Sequence, residues 1–116
     1  MSAMDITEAT AQANRLADLF DQLNEADGQR PWSGLDIALG FVGDVGDLMR
    51  QVQVAEGIRS YPGGRAALEH ELADCLWSVL MLADRYGVDL ESAFANTMAQ
   101  METRIVARIA AKTEAA

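Results

Sequence analysis

Two short stretches hold carboxylates at a spacing that suits chemistry. Asp44 and Asp47 stand three residues apart, and so do Glu71 and Asp74. Each pair sits in an apolar run. Between Leu35 and Met49 the only charges are Asp36, Asp44 and Asp47, and between Leu72 and Ala83 the only charge is Asp74. On a helix, residues i and i+3 share a face, so each pair can aim its oxygens at one spot. Bare carboxylates among apolar residues are costly to bury. A hard divalent cation removes that cost, and oxygen-only ligands suit magnesium or manganese.

The elements that must position these acids read as helices. Gly57 to Gly64, with Pro62 among them, reads as a loop. If the flanking helices form an antiparallel hairpin, both pairs lie at a similar distance from the loop, at about 1.5 Å of rise per residue, and so fall at one level. The first helix is expected from about Asp5 to Glu25, capped by Asp5 or Thr7, with Ile6, Ala9, Ala13, Leu16, Phe20 and Leu23 as its apolar stripe. Pro31 stops it. The second starts at Ser33, which with Asp36 forms a capping box, and runs through Val52 or beyond. It is apolar nearly all round, which implies burial on several sides. Gly40, Gly43 and Gly46 lie within it, and the expectation is that another backbone or a ligand comes close there. The third spans Arg65 to Tyr86 and ends at Gly87. Asp89 caps the fourth, from Leu90 to about Ala111, with Phe94, Met98, Met101, Ile105 and Ile109 as its stripe. No strand pattern or repeat is present. The expected fold is all-α, a four-helix arrangement in a single domain over 1–116, with frayed ends at about 1–4 and 112–116.

Composition limits the partners. The chain has 116 residues, half of them hydrophobic, with 9 Lys and Arg against 18 Asp and Glu, a formal charge of −9. That balance argues against nucleic acid or an anionic membrane as the main partner. It leaves room for a phosphorylated small molecule, because bound metal reverses the local charge. Cys75 is the single cysteine, so a reducing cytoplasm is expected. The acidic stretch from Met1 to Asp5 has no apolar core, so no signal peptide is expected, and no uninterrupted membrane span is found.

Gly43-Asp44-Val45-Gly46-Asp47-Leu48 resembles the Glu-x-x-Glu half of the MazG-like nucleotide pyrophosphohydrolases. Glu71-Leu72-Ala73-Asp74-Cys75-Leu76 resembles their Glu-x-x-Asp half. Arg65-Ala66-Ala67-Leu68 and Gly87-Val88-Asp89-Leu90-Glu91 are also similar, and the resemblance covers about Ser33 to Arg104. Among these proteins the chain is most similar to the dCTP pyrophosphatases. The resemblance implies an all-α fold, a homodimer or homotetramer, and Mg2+ or Mn2+ held by Asp44, Asp47, Glu71 and Asp74. It implies a nucleotide substrate, a (deoxy)nucleoside triphosphate cut to the monophosphate and pyrophosphate in nucleotide-pool house-cleaning. Arg104 would contact phosphate, and Trp77 and Ser78 would lie at the base; Trp32, outside the resemblance and at a loop–helix junction, is a further candidate for base binding.

This sequence departs from the family pattern at named positions. Both first-half glutamates are aspartates. The Lys and Asn often found on the last helix are Thr97 and Met101 here, and the aromatic often found four residues after the final aspartate is Ser78, beside Trp77.

Plainer readings stand beside these. Acidic pairs on helices are usually solvated faces, and Trp32 and Trp77 are either core or base-stacking residues. His70, about 100° around the helix from Glu71, reads as a surface residue. Cys75 reads as a buried packing residue, and Met81, Met98 and Met101 as core. Three functions compete: a metal-dependent pyrophosphohydrolase, a catalytically weak or inactive nucleotide-binding regulator on the same scaffold, and a helical oligomerisation module.

Overall fold

Four helices, α1 (Ile6–Ala26), α2 (Gly34–Ala55), α3 (Gly64–Arg85) and α4 (Leu90–Ala115), make up the computed structural model, which describes residues 3–115. No strand occurs among the described residues. Among the described residues no helix is long and apolar enough to cross a membrane.

Local chemistry sets the helix ends. Asp5 caps α1 by accepting the Glu8 N–H at 2.8 Å. Ser33 and Asp36 form the reciprocal capping box of α2: Ser33 Oγ accepts the Asp36 N–H at 3.2 Å, and Asp36 Oδ2 accepts the Ser33 N–H at 2.8 Å. Asp89 caps α4 through the Ser92 N–H at 3.1 Å. α2 and α3 each end in a glycine at positive φ, Gly57 at 75° and Gly87 at 65°. The next residue, Ile58 or Val88, donates back to Gln53 or Ala83, at 2.9 and 2.8 Å. This is the Schellman arrangement, which satisfies carbonyls that would otherwise be orphaned.

α2 packs along α3 as an antiparallel hairpin, and α1 lies across α3. The core is Ala13 of α1, Ile37 of α2, and Leu80 and Met81 of α3, with Trp32, Trp77 and Leu90 packed against it. α4 has no buried residue. Its stripe of Phe94, Met98, Met101, Ile105 and Ile109 is exposed, as are Leu35, Leu39, Val42 and Met49 of α2. The radius of gyration is 18.7 Å, against about 13 Å for a compact domain of this size.

Three expectations need correction. α4 continues as helix through Ala115, past the Ala111 boundary, because nothing from Ile109 onward breaks helical propensity; residues 1, 2 and 116 lie outside the described residues. Met98 and Met101 are exposed rather than core, because no other helix of the chain covers α4. The glycines of α2 do not mark a close approach within this chain: a Cβ at Gly40, Gly43 or Gly46 would meet nothing within 4 Å. Within α2 the tight position is Gly34, at its first turn, where a Cβ would collide with the Tyr86 ring.

Candidate metal and nucleotide site

The hairpin brings the two acidic pairs together. Asp44 faces the α2–α3 seam, where burial first, and then the Asp74 and Asp47 carboxylates, push its carboxyl above the ordinary value; His70 partly offsets this. Burial and the charges of Asp44, Glu71, Asp74 and Asp47 all push the Cys75 thiol up. One half-buried thiol therefore feels all four acids, and a thiol so placed is a poor nucleophile.

Two nitrogen-bearing side chains sit on these acids. Arg50 forms an ion pair with Asp47, one turn along α2. His70 Nε2 stands 3.1 Å from Asp74 Oδ2, one turn along α3. His70 is exposed, as its place on the helix implied, but it also engages Asp74, which the sequence reading missed. The spacings, i to i+3 and i to i+4, are signals that could have found both pairs.

With these pairs in place, no three Asp, Glu, His or Cys side chains among the described residues stand close enough to share one ion. The donor set nonetheless fits a hard divalent cation. The acids supply only oxygen, and their mutual effect on Asp44 is the strain that a cation relieves. Gln51, 6% exposed and on the same helix, also has an Oε1 without a hydrogen-bond partner.

Asp44 and Asp74 line one part of a cleft of about 700 Å³. Phe20, Trp32, Trp77 and Ser78 line it too. The three aromatic rings form one cluster, with centroids 4.8 Å apart for Phe20–Trp32, 6.1 Å for Phe20–Trp77 and 6.4 Å for Trp32–Trp77. Trp77 is fixed further, donating Nε1–H to the Ala13 carbonyl at 3.1 Å. Both tryptophans thus pack on the core and line the cleft, so the choice between core and cleft does not arise. Ser78 is 2% exposed. Asp36, on the cleft wall, is held by the Arg30 guanidinium, and its carboxyl lies well below the usual carboxylate range because of Arg30 and the Ser33 N–H.

Arg104 is not brought to this cleft. It is exposed on α4 and is not among the residues that line the cavity. Phe20 and Asp36 were not named as cleft residues from the sequence: Phe20 reaches the cleft only through the packing of α1 on α3, and Asp36 reads as a capping residue of α2.

A sequence model of the MazG nucleotide pyrophosphohydrolase domain matches residues 36–108. That span holds both acidic pairs, Trp77, Ser78 and Arg104, and leaves out α1 and Trp32. No curated protein and no solved structure gives a significant match. With most of its length matched, and with both acidic pairs inside the match, this all-α chain belongs to the MazG family of nucleotide pyrophosphohydrolases.

Proposed function

We propose that the protein hydrolyses a (deoxy)nucleoside triphosphate to the monophosphate and pyrophosphate, using Mg2+ or Mn2+ held by Asp44, Asp47, Glu71 and Asp74. The observation that carries this reading is the cleft itself: it joins Asp44 and Asp74 to a wall of Trp32 and Trp77. A triphosphate beside the acids and a base against the aromatics would fit one continuous cavity. The cation would supply charge neutralisation for the phosphates and a lowered pKa for the attacking water. The chain's own residues do the rest. A carboxylate of the four that is not taken up by the cation orients the water and accepts its proton. Trp32 and Trp77 offer faces on which a base stacks, and Ser78 closes the floor. Attack at the α-phosphate then releases pyrophosphate.

The protein also works as a homodimer or homotetramer in this reading. The exposed apolar stripes of α2 and α4 and the extended shape support a second copy. Arg104, remote from the cleft of its own chain, would reach phosphate from such a copy. The single free thiol suits the cytoplasm, and nucleotide-pool house-cleaning suits the activity.

The test is a screen of the common nucleoside and deoxynucleoside triphosphates with Mg2+ or Mn2+. The expected products are a monophosphate and pyrophosphate, with turnover falling about 10²-fold or more in Glu71→Gln. Orthophosphate with a diphosphate, or unchanged turnover in Glu71→Gln, would reject it. A second reading, a nucleotide-binding regulator without turnover, is favoured by Asp47 being tied to Arg50. It predicts nucleotide-dependent quenching of Trp32 and Trp77 fluorescence with no product.

A further inference from the structure

Gln51 is the one strongly buried polar residue of α2, at 6% exposure, and its Oε1 has no hydrogen-bond partner. It stands four residues past Asp47 and seven past Asp44, so the three share the face that packs on α3. Ile37, seven residues before Asp44 on that face, is buried too, and it is apolar. Packing alone is served by such a residue. A buried amide oxygen without a donor is disfavoured, and folded chains seldom keep one.

The seam offers Gln51 no ready donor. With Asp44 facing Asp74 in an antiparallel hairpin, the register puts Asp47 level with Glu71 and Gln51 level with Ala67, whose methyl cannot donate. The two nearby side chains with N–H donors are engaged elsewhere, Arg50 with Asp47 and His70 with Asp74.

We propose that Gln51 is a positioning residue of the cation site: its Oε1 accepts a hydrogen bond from a water in the cation's hydration shell. One helical turn, about 5.4 Å, separates Gln51 from Asp47. That reach suits a water bridge better than direct ligation, and magnesium in particular keeps several of its waters. Outer partners of this kind hold a site's waters in place and contribute to metal affinity. The inference rests on the reading that the four acids bind the cation.

The experiment is Mn2+ binding to the full chain without nucleotide, read by calorimetric titration and by the shift in melting temperature. The variants are Gln51→Leu, Gln51→Glu and Asp44→Asn. Gln51→Leu should weaken Mn2+ binding about tenfold or more, while its metal-free melting temperature holds or rises because the orphaned acceptor is gone. Gln51→Glu, which keeps an acceptor, should bind Mn2+ at least as tightly as wild type. Gln51→Met replaces the leucine variant, with the same criterion, should the latter not fold. Wild-type affinity in the apolar variant, or weakened affinity in Gln51→Glu, overturns the proposal and leaves Gln51 a packing residue. Failure of the underlying reading looks different: wild type then binds no Mn2+, or Asp44→Asn binds it as wild type does, and the proposal falls with it.

Discussion

Asp44 and Asp74 face each other across the α2–α3 seam, and the burial of Asp44, reinforced by Asp74, raises the Asp44 carboxyl above its ordinary value. The sign of the consequence is definite. A carboxyl raised in the folded state keeps its proton where the unfolded chain has lost it. Metal-free stability therefore falls as pH rises from the ordinary value of 3.8 through the folded one. Asp44→Asn should remove that slope and raise the metal-free melting temperature at pH 7. It should also abolish the stabilisation by Mn2+, which at one hundred times Kd amounts to about 2.7 kcal/mol. A variant that melts lower without metal and responds to it normally would contradict both the strain and the assignment.

Asp36 works in the opposite sense. Arg30 and the Ser33 N–H hold its carboxyl well below the ordinary carboxylate range. Its contribution is complete above the ordinary value of 3.8 and is lost as pH falls below that toward the folded value. Urea unfolding of wild type and Asp36→Asn should therefore differ most at pH 5 and converge toward pH 3. A gap that stays constant over this range would mean that the Arg30 pair and the capping box owe nothing to the charge of Asp36.

How far the sequence carried depended on range. The caps at Asp5, Ser33 with Asp36, Gly87 and Asp89 were legible because each rests on residues within a few positions of one another. The level of the two acidic pairs was legible because helical rise and the position of one loop determine it. The Phe20–Trp32–Trp77 cluster was not, since its members meet only when α1 lies on α3. The glycines of α2 mark no close approach within this chain for a related reason. Close approach depends on which neighbour arrives, and Tyr86 arrives at Gly34 while open space lies beside Gly40, Gly43 and Gly46. The Arg50–Asp47 and His70–Asp74 pairs were in reach of a simple spacing rule and were overlooked.

The apolar residues left outside the core lead to a prediction about assembly. Leu39 and Val42 on α2 are 63% and 70% exposed, and Phe94 on α4 is 60% exposed. Contiguous stripes of this kind are rare on monomers. Sedimentation at low micromolar concentration should show a dimer or larger species. Leu39→Glu should shift it toward monomer while the hairpin keeps its helicity, since Leu39 is no part of the core of this chain. A wild-type monomer would also leave Arg104 without a route to the cleft.

The aspartates of α2 allow the finest test of the chemistry. The family pattern has glutamates at both positions, and Asp44 and Asp47 are each one methylene shorter. Asp47 is paired with Arg50, and Asp74 with His70, each through one carboxylate oxygen. If short reach limits the site, Asp44→Glu or Asp47→Glu should retain or raise turnover, most visibly with Mn2+, whose coordination is less demanding than that of Mg2+. Glu71→Gln and Asp74→Asn should lower it by about 10²-fold or more with helical content unchanged. Steady-state pyrophosphate release measured for the four variants separates the cases. Loss of activity in folded Asp44→Glu and Asp47→Glu would instead show a site built around the shorter carboxylates, one in which α2 and α3 draw closer when the cation binds.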